Sequence, residues 1–313
     1  MKLKFWGVRG SIPSPLSSRR LMSKIQAIVQ QISVSDLQSM DTREKFISKL
    51  PKWLTSTVGG NSPCVELSVS DNEIFIFDAG SGIRELGKEL INKKSVKIHI
   101  FLSHFHWDHI QGLPFFDPIY NPNFEIHFYS IKSDMKELLS RQMQSPFFPV
   151  DFNAISKNFH FHVLQEGQEI LICNHKINTK KMFHPDESIA YSVESSNGKK
   201  IIYATDSELK SNDFLVTEEN KNFFSEADIL IIDAQYTVEE AAEKENWGHS
   251  TFCYAVDFAT NWLIKKIYLF HHEPKYDDKK IFSILDSARW YARYSLKKEI
   301  QVELAIEGVE EEI

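Results

Sequence analysis

Within six residues, His104-Phe105-His106-Trp107-Asp108-His109, the chain places three imidazoles and a carboxylate. The apolar stretch before them, Val96 to Leu102, reads as a strand that ends at Ser103. Two residues apart at a strand end, His104 and His106 point to the same side. The chain then turns toward Gly112, so Asp108 and His109 can face back into the same space. Such a cluster is costly unless something satisfies it. A borderline cation such as Zn²⁺ does so, through nitrogen at about 2.0–2.1 Å and oxygen at a similar distance. Mn and Fe accept the same donors. A polar surface turn is the other account, and the strand feeding the cluster argues against it by anchoring the site in the core.

The surroundings predict a layered α/β fold. A strand over Leu3–Val8 ends in a Gly-x-x-Gly turn at 7–10, and Cys64–Val69 with Glu73–Phe77 reads as a hairpin turning at Asp71-Asn72. Helix is expected over Ile83–Ile91 and around 133–142, and strands over 124–129, 159–164, Glu169–Thr179, Ile189–Glu194 and Lys200–Ala204. The wholly apolar Ile229–Ile232 reads as a strand buried on both faces. Helix 250–263, strand Lys266–Phe270 and helix 278–295 complete the pattern. Residues 17–55 differ. Leu21, Ile25, Ile28 and Ile32 recur at helical spacing, and a second helix is expected to start at Asp41, boxed by Glu44, and to end at Pro51. Seven Lys/Arg stand against three acids there, which makes the stretch a basic insertion in a chain of net charge −7. The expected organisation is one domain over 1–313 with a helical insertion at 17–55.

That negative charge argues against wholesale attraction to nucleic acid or anionic membrane. Cys64, Cys173 and Cys253 form no CxxC pair, the opening residues carry no signal-peptide pattern, and no apolar run approaches the roughly 20 residues of a membrane span. A cytoplasmic location is expected.

The HxHxDH motif at 104–109 resembles the metallo-β-lactamase superfamily, and the order of the other motifs agrees. Phe77-Asp78-Ala79-Gly80 is similar to the family's early Asp-Ala-Gly turn, and Phe-His-Pro at His184 to its next metal histidine. Ala-Thr-Asp at Asp206 is similar to its bridging carboxylate, and Phe-His-His-Glu-Pro at 270–274 to its last histidine motif. Phe-Trp-Gly-Val-Arg-Gly-Ser-Ile-Pro at 5–13, Gly-Gly-Asn at 59–61 and Gly-His-Ser-Thr at 248–251 resemble the phosphodiesterase branch. That branch includes tRNA 3′-processing endonucleases and cyclic phosphodiesterases. The resemblance implies a four-layer αββα sandwich and two divalent transition-metal ions, zinc first among them. His104, His106 and His184 would hold one ion, Asp108, His109 and His271 the other, with Asp206 shared. Metal-activated water would be the nucleophile, since a metal lowers the pKa of bound water toward about 7. His249 would be the general acid, held by Asp233, with Asp108 serving catalysis as well as the metal. A helix cap is the plainer account of His249. His272 competes with His271 for the last ligand position, and the register of the segment selects His271. His272 would then be free to touch phosphate.

Other features read more plainly. Asp78 is expected to support the metal loop and Asn61 to order the Gly59-Gly60 turn. His160 and His162 lie on one face of a strand, and His99, His127 and His175 are lone histidines. Phe115, Phe116, Phe147 and Phe148 suit core packing, with base stacking as the alternative. The expected substrate is a small anionic cyclic phosphodiester, such as a cyclic nucleotide. An RNA 3′-end endonuclease is the nearest rival, although no Gly-rich arm lies between 113 and 183. Two-iron oxidoreductases of this fold use an acid in place of one histidine and carry a flavin domain, and neither feature is present here. A metal-containing signalling protein that acts by binding is the remaining alternative. A homodimer is expected, and residues 17–55 could be a lid, a solvated helical pair or a dimer contact.

Overall fold

The computed structural model describes residues 1–93 and 96–313. Among the described residues, fourteen strands form two seven-stranded sheets. The first six are β1 (Lys2–Gly7), β2 (Cys64–Ser70), β3 (Glu73–Phe77), β4 (Lys97–Phe101), β5 (Glu125–Ser130) and β6 (Phe159–Val163). There follow β7 (Glu169–Ile172), β8 (His175–Met182), β9 (Ser188–Glu194), β10 (Lys200–Ala204), β11 (Ile229–Asp233), β12 (Lys266–Phe270), β13 (Gln301–Leu304) and β14 (Glu310–Glu312). One sheet runs β14-β1-β2-β3-β4-β5-β6 and the other β13-β12-β11-β10-β9-β8-β7. Each begins with antiparallel pairs and continues as parallel ones, β3 to β6 in the first and β10 to β13 in the second.

The central strands β3, β4, β10, β11 and β12 are buried almost throughout because both of their faces are covered. Phe5, Phe75, Phe77, Phe101, Tyr191 and Tyr203 fill the space between the sheets. On the outer face of the first sheet, helix Ile83–Leu90 lays Ile83, Leu86 and Leu90 over Ile76, Ile98 and Ile100. On the other, helices Phe252–Asn261 and Asp278–Trp290 bury Val256, Phe258, Ile281 and Leu285 against Leu230, Ile232 and Leu269. The result is the expected four layers, αββα. Among the described residues no helix is long and apolar enough to cross a membrane.

Several expected elements differ in detail. The single strand expected over 169–179 is a hairpin of β7 and β8. Its turn, Cys173-Asn174, takes φ of 49° and 61° without a glycine to advertise it. Strands β13 and β14 were not expected. Both are short, and β14, wholly acidic, closes the first sheet by pairing with β1. In the insertion, helix Ser18–Val29 is capped by Ser17, and the second helix, Met40–Lys49, is boxed by Ser39 and Thr42 rather than by Asp41 and Glu44. The expected apolar stripe is only partly covered: Ile28 and Ile32 are half-buried, whereas Leu21 and Ile25 are exposed, with Met22 and Val29 exposed beside them. Instead the helix is anchored by its charges. Lys24 pairs with Asp278 and donates to Ser56 O, and Arg20 donates to Lys275 O.

Candidate metal centre

The centre is assembled where strands end. Asp78 follows β3, the 104–109 cluster follows β4, Asp206 follows β10, Asp233 closes β11 and His271 follows β12. Ligand sites of open α/β sheets gather at such carboxyl ends. Three of these residues, Asp78 (φ 60°), Asp206 (φ 45°) and His271 (φ 60°), occupy the left-handed region. Each such residue costs of the order of 1–3 kcal/mol and persists only where its surroundings hold it. The local reason here is that each side chain must turn back toward one point as its strand stops.

Seven side chains converge on two adjoining sets. His104, His106, His184 and Asp206 offer donor atoms within 4.8 Å of one another, and so do Asp108, His109, Asp206 and His271. Asp206 belongs to both. Its Oδ2 faces His104 Nε2 at 3.7 Å and His184 Nε2 at 4.0 Å, and its Oδ1 lies 3.1 Å from both His109 Nε2 and His271 Nε2. Asp108 Oδ2 is 3.2 Å from His109 Nε2 and 3.3 Å from His271 Nε2. Bonds of about 2.0–2.1 Å at tetrahedral angles would hold donors roughly 3.3 Å apart, close to the 3.1–3.3 Å of the second set, while Asp206 stands somewhat farther from the histidines of the first.

Each imidazole has one nitrogen committed outside the centre, so the other points in. His109 Nδ1 meets Asp78 Oδ2 at 2.7 Å, His104 Nδ1 meets Ser103 Oγ at 3.0 Å, and His106 Nε2 meets Asp186 Oδ2 at 2.6 Å. His184 Nδ1 meets Gly248 O at 3.2 Å, and His271 Nδ1 meets Gln235 Oε1 at 2.8 Å. Partners of this kind fix the tautomer and ring orientation of a metal-binding histidine. The inward Nε2 atoms of His104 and His109 are buried with no hydrogen-bond partner. Buried polar atoms are nearly always paired, so these two orphans, one in each set of imidazoles and carboxylates, fit a cation in each set. Burial opposes ionisation of Asp206, but His109, His271 and His104 outweigh it and hold the carboxyl well below its usual range.

Asp78 has the supporting place expected of it. It accepts from Ser103 N, Ser103 Oγ and Tyr203 Oη at 2.7–2.8 Å and is fully buried. His271 and His272 part as the register implies. His271 enters the centre, while His272 is buried with Nε2 2.9 Å from Ala305 O, so it does not face a phosphate. His249 does not cap a helix, because Thr251 does. Its Nδ1 lies 2.7 Å from Asp233 Oδ2, and its ring stacks on His271 at 5.0 Å. Burial works against its protonation, but the Asp233 carboxylate outweighs this and the pKa is pushed up to about 9. Asn61 reaches Glu307 and accepts from Ser81 Oγ, which ties the Gly59-Gly60 turn down. Of the phenylalanines, Phe116 is core, Phe148 packs partly on it, and Phe115 and Phe147 are exposed. Gln235, Asp186 and Tyr203 were not singled out from the sequence. Only Asp186, two residues beyond His184, carried a local hint.

Two glycines make room for the ligands. A Cβ on Gly10 would sit 2.5 Å from His271 Nδ1, and one on Gly248 (φ +91°) would sit 2.0 Å from His184 Nδ1.

Two facing mixed sheets, helices outside, and a His/Asp centre at the strand ends define a metallohydrolase of the metallo-β-lactamase fold. The chain belongs to the beta-lactamase superfamily: residues 74–272 match its beta-lactamase superfamily domain. The chain is similar to ribonuclease Z of Picrophilus torridus, 23% identical over 264 residues that cover 70% of this chain and 82% of that one. It is also similar to ribonuclease Z of Oceanobacillus iheyensis, 24% identical over 276 residues, with 70% and 85% covered. Among solved structures, a diphosphatase from the PhnP family superposes with a TM-score of 0.62 at 18% identity, covering 100% of this chain and 97% of that one. The short form of human tRNase Z superposes with 0.58 at 20% identity, covering 100% and 99%. At these identities the two structures speak for the fold.

Proposed function

We propose that this chain is a phosphodiesterase that works with two divalent transition-metal ions, zinc first, and hydrolyses a small cyclic phosphodiester such as a cyclic nucleotide. The observation that carries the reading is Asp206, whose two oxygens face two separate sets of imidazoles. His104, His106 and His184 would hold one ion and Asp108, His109 and His271 the other, with Asp206 between them. When bound, such a pair polarises a phosphoryl oxygen and lowers the pKa of water at neutral pH. The protein's own groups supply the rest. Asp78 and Gln235 keep His109 and His271 aimed inward, and Asp108 adds negative charge that retains the cations. His249, held protonated by Asp233, would donate its proton to the departing oxygen.

Ribonuclease Z relatives favour a second reading, RNA 3′-end processing. Against it stand the net charge of −7 and the segment from 113 to 183, which contains a single glycine and folds into the sheets and helices of the domain. We also carry forward one domain with the 17–55 insertion, acting as a homodimer. The exposed stripe of Leu21, Met22, Ile25 and Val29 supports the dimer. A panel of cyclic mononucleotides, cyclic dinucleotides and precursor tRNA, run beside bis(p-nitrophenyl) phosphate, tests the substrate. Turnover of a cyclic nucleotide with intact precursor tRNA is expected, and the reverse pattern would establish the RNA reading instead.

A further inference from the structure

A second group of histidines lies away from the centre. His99 on β4, His127 on β5 and His160 on β6 are register partners across three parallel strands. Their rings stack in a row, 4.9 Å apart at 23° and then 4.6 Å apart at 22°. His162, two residues along β6 from His160, stacks on His127 at 5.2 Å. His99 stands five residues before His104. At about 3.3 Å per residue along a strand the row lies roughly 15 Å from the centre.

We propose that Glu125, His127 and His160 form a separate Zn²⁺-binding site on this edge of the first sheet. Glu125 Oε1 lies 2.8 Å from His127 Nε2 and 3.7 Å from His160 Nε2, and the three residues offer donors within 4.8 Å of one another. Those spacings bracket the roughly 3.3 Å that tetrahedral zinc bonds of about 2.0–2.1 Å require. The tautomer can be set from behind. His127 Nδ1 is 2.9 Å from His162 Nε2; a proton on His127 Nδ1, donated to His162, leaves the His127 Nε2 lone pair free to bind. His99 is no ligand. Both its nitrogens are engaged, by Glu73 at 2.8 Å and Tyr129 Oη at 2.9 Å, and it is buried. It serves as the floor on which His127 rests. Glu125 and His160 are half exposed, with side-chain exposures of 45% and 49%, so an ion can enter and keep water as a fourth ligand. Two imidazoles, one carboxylate and an open position make a zinc set. With Zn²⁺ in place the edge strand β6 is cross-linked to β5.

The test is a Zn²⁺ titration by calorimetry of the holoprotein, its centre already filled. One further equivalent is expected. It should vanish in the variant carrying His127→Ala and His160→Ala, while turnover of bis(p-nitrophenyl) phosphate is unchanged. His162→Ala, which removes only the supporting partner, should weaken it about 10–100-fold. Glu125→Gln, the mildest change, should weaken it as well and serves should the double variant fail to fold. Absence of a further equivalent in the wild type overturns the site, and so does one that survives both Glu125→Gln and the double variant.

Discussion

His249 Nδ1 lies 2.7 Å from Asp233 Oδ2, and Asp233 is held in turn by the Ser250 and Gln235 amides, which donate to its Oδ1. The pair therefore presents a fixed imidazole whose other nitrogen faces away from Asp233. If it is the proton donor, His249→Ala should keep the metals and lower turnover of alkyl phosphodiesters by roughly 10²–10⁴. p-Nitrophenyl esters, whose leaving group needs no proton, should lose far less. The sign of the pH effect follows from a raised pKa: the imidazolium is present below it and lost above. Bound cations would share the pull of Asp206 and Asp108, so the falling limb for alkyl esters should lie at or below about pH 9. A limb that survives in His249→Ala would assign it to another group.

Gly248 offers a steric test of the first ligand set. With φ of +91° and a Cβ placed 2.0 Å from His184 Nδ1, Gly248→Ala must displace His184 or the loop itself. A left-handed non-glycine residue adds of the order of 1–3 kcal/mol of strain. Metal content should fall by about one ion per chain, with the fold retained by circular dichroism. Full metal content in Gly248→Ala would show that the loop, and not His184, gives way and would overturn this steric account.

Much of this centre could be read from the chain because its ligands sit at strand ends, where local pattern and chemistry coincide. His104, His106, Asp108 and His109 follow directly from an apolar strand, and Asp206 and His271 likewise follow β10 and β12. The supporting shell was less legible. Gln235 reaches His271 from 36 residues away and Tyr203 reaches Asp78 from 125, contacts that no local pattern encodes. The histidine row was legible only as single residues, because cross-strand register is set by the whole sheet. The β7–β8 turn escaped because Cys173-Asn174 carries neither Gly nor Pro, and only the change of phase from Ile170 and Ile172 to Ile177 marks it.

Removal of metal should be destabilising in a way that depends on Asp206. Purified protein is expected to hold about two ions per chain, and a ligand that binds only the folded state adds about 2.7 kcal/mol at 100 times its Kd. Chelation should therefore lower Tm by several degrees, and re-addition should restore it. Asp206→Asn removes the shared carboxylate while keeping its volume, so it should abolish turnover and blunt the Tm response of both ions. An Asp206→Asn protein that still gains the full Tm increment would refute the shared position.

The insertion at 17–55 buries Leu54, and its first helix is tied to the domain by polar contacts while part of its apolar side stays outward. Lys24 and Asp278 pair with side chains only 11% and 3% exposed, and between this helix and the start of Asp278–Trp290 lies a cavity of about 280 Å³ lined by Arg9, Arg20, Lys24 and Trp53. The stripe of Leu21, Met22, Ile25 and Val29 faces the other way, exposed by 48%, 54%, 44% and 62%. A helix that turns its apolar side to water lacks the packing that stabilises most helices in proteins. We therefore expect the stripe to meet the same stripe on a second chain. Leu21→Glu with Ile25→Glu should convert a dimer to a monomer by light scattering and leave turnover of bis(p-nitrophenyl) phosphate intact. The lid role is read from the same variant: a raised KM for the native substrate in the monomer means that the paired insertions also line the entrance. A wild-type protein that is monomeric at micromolar concentration would remove the dimer.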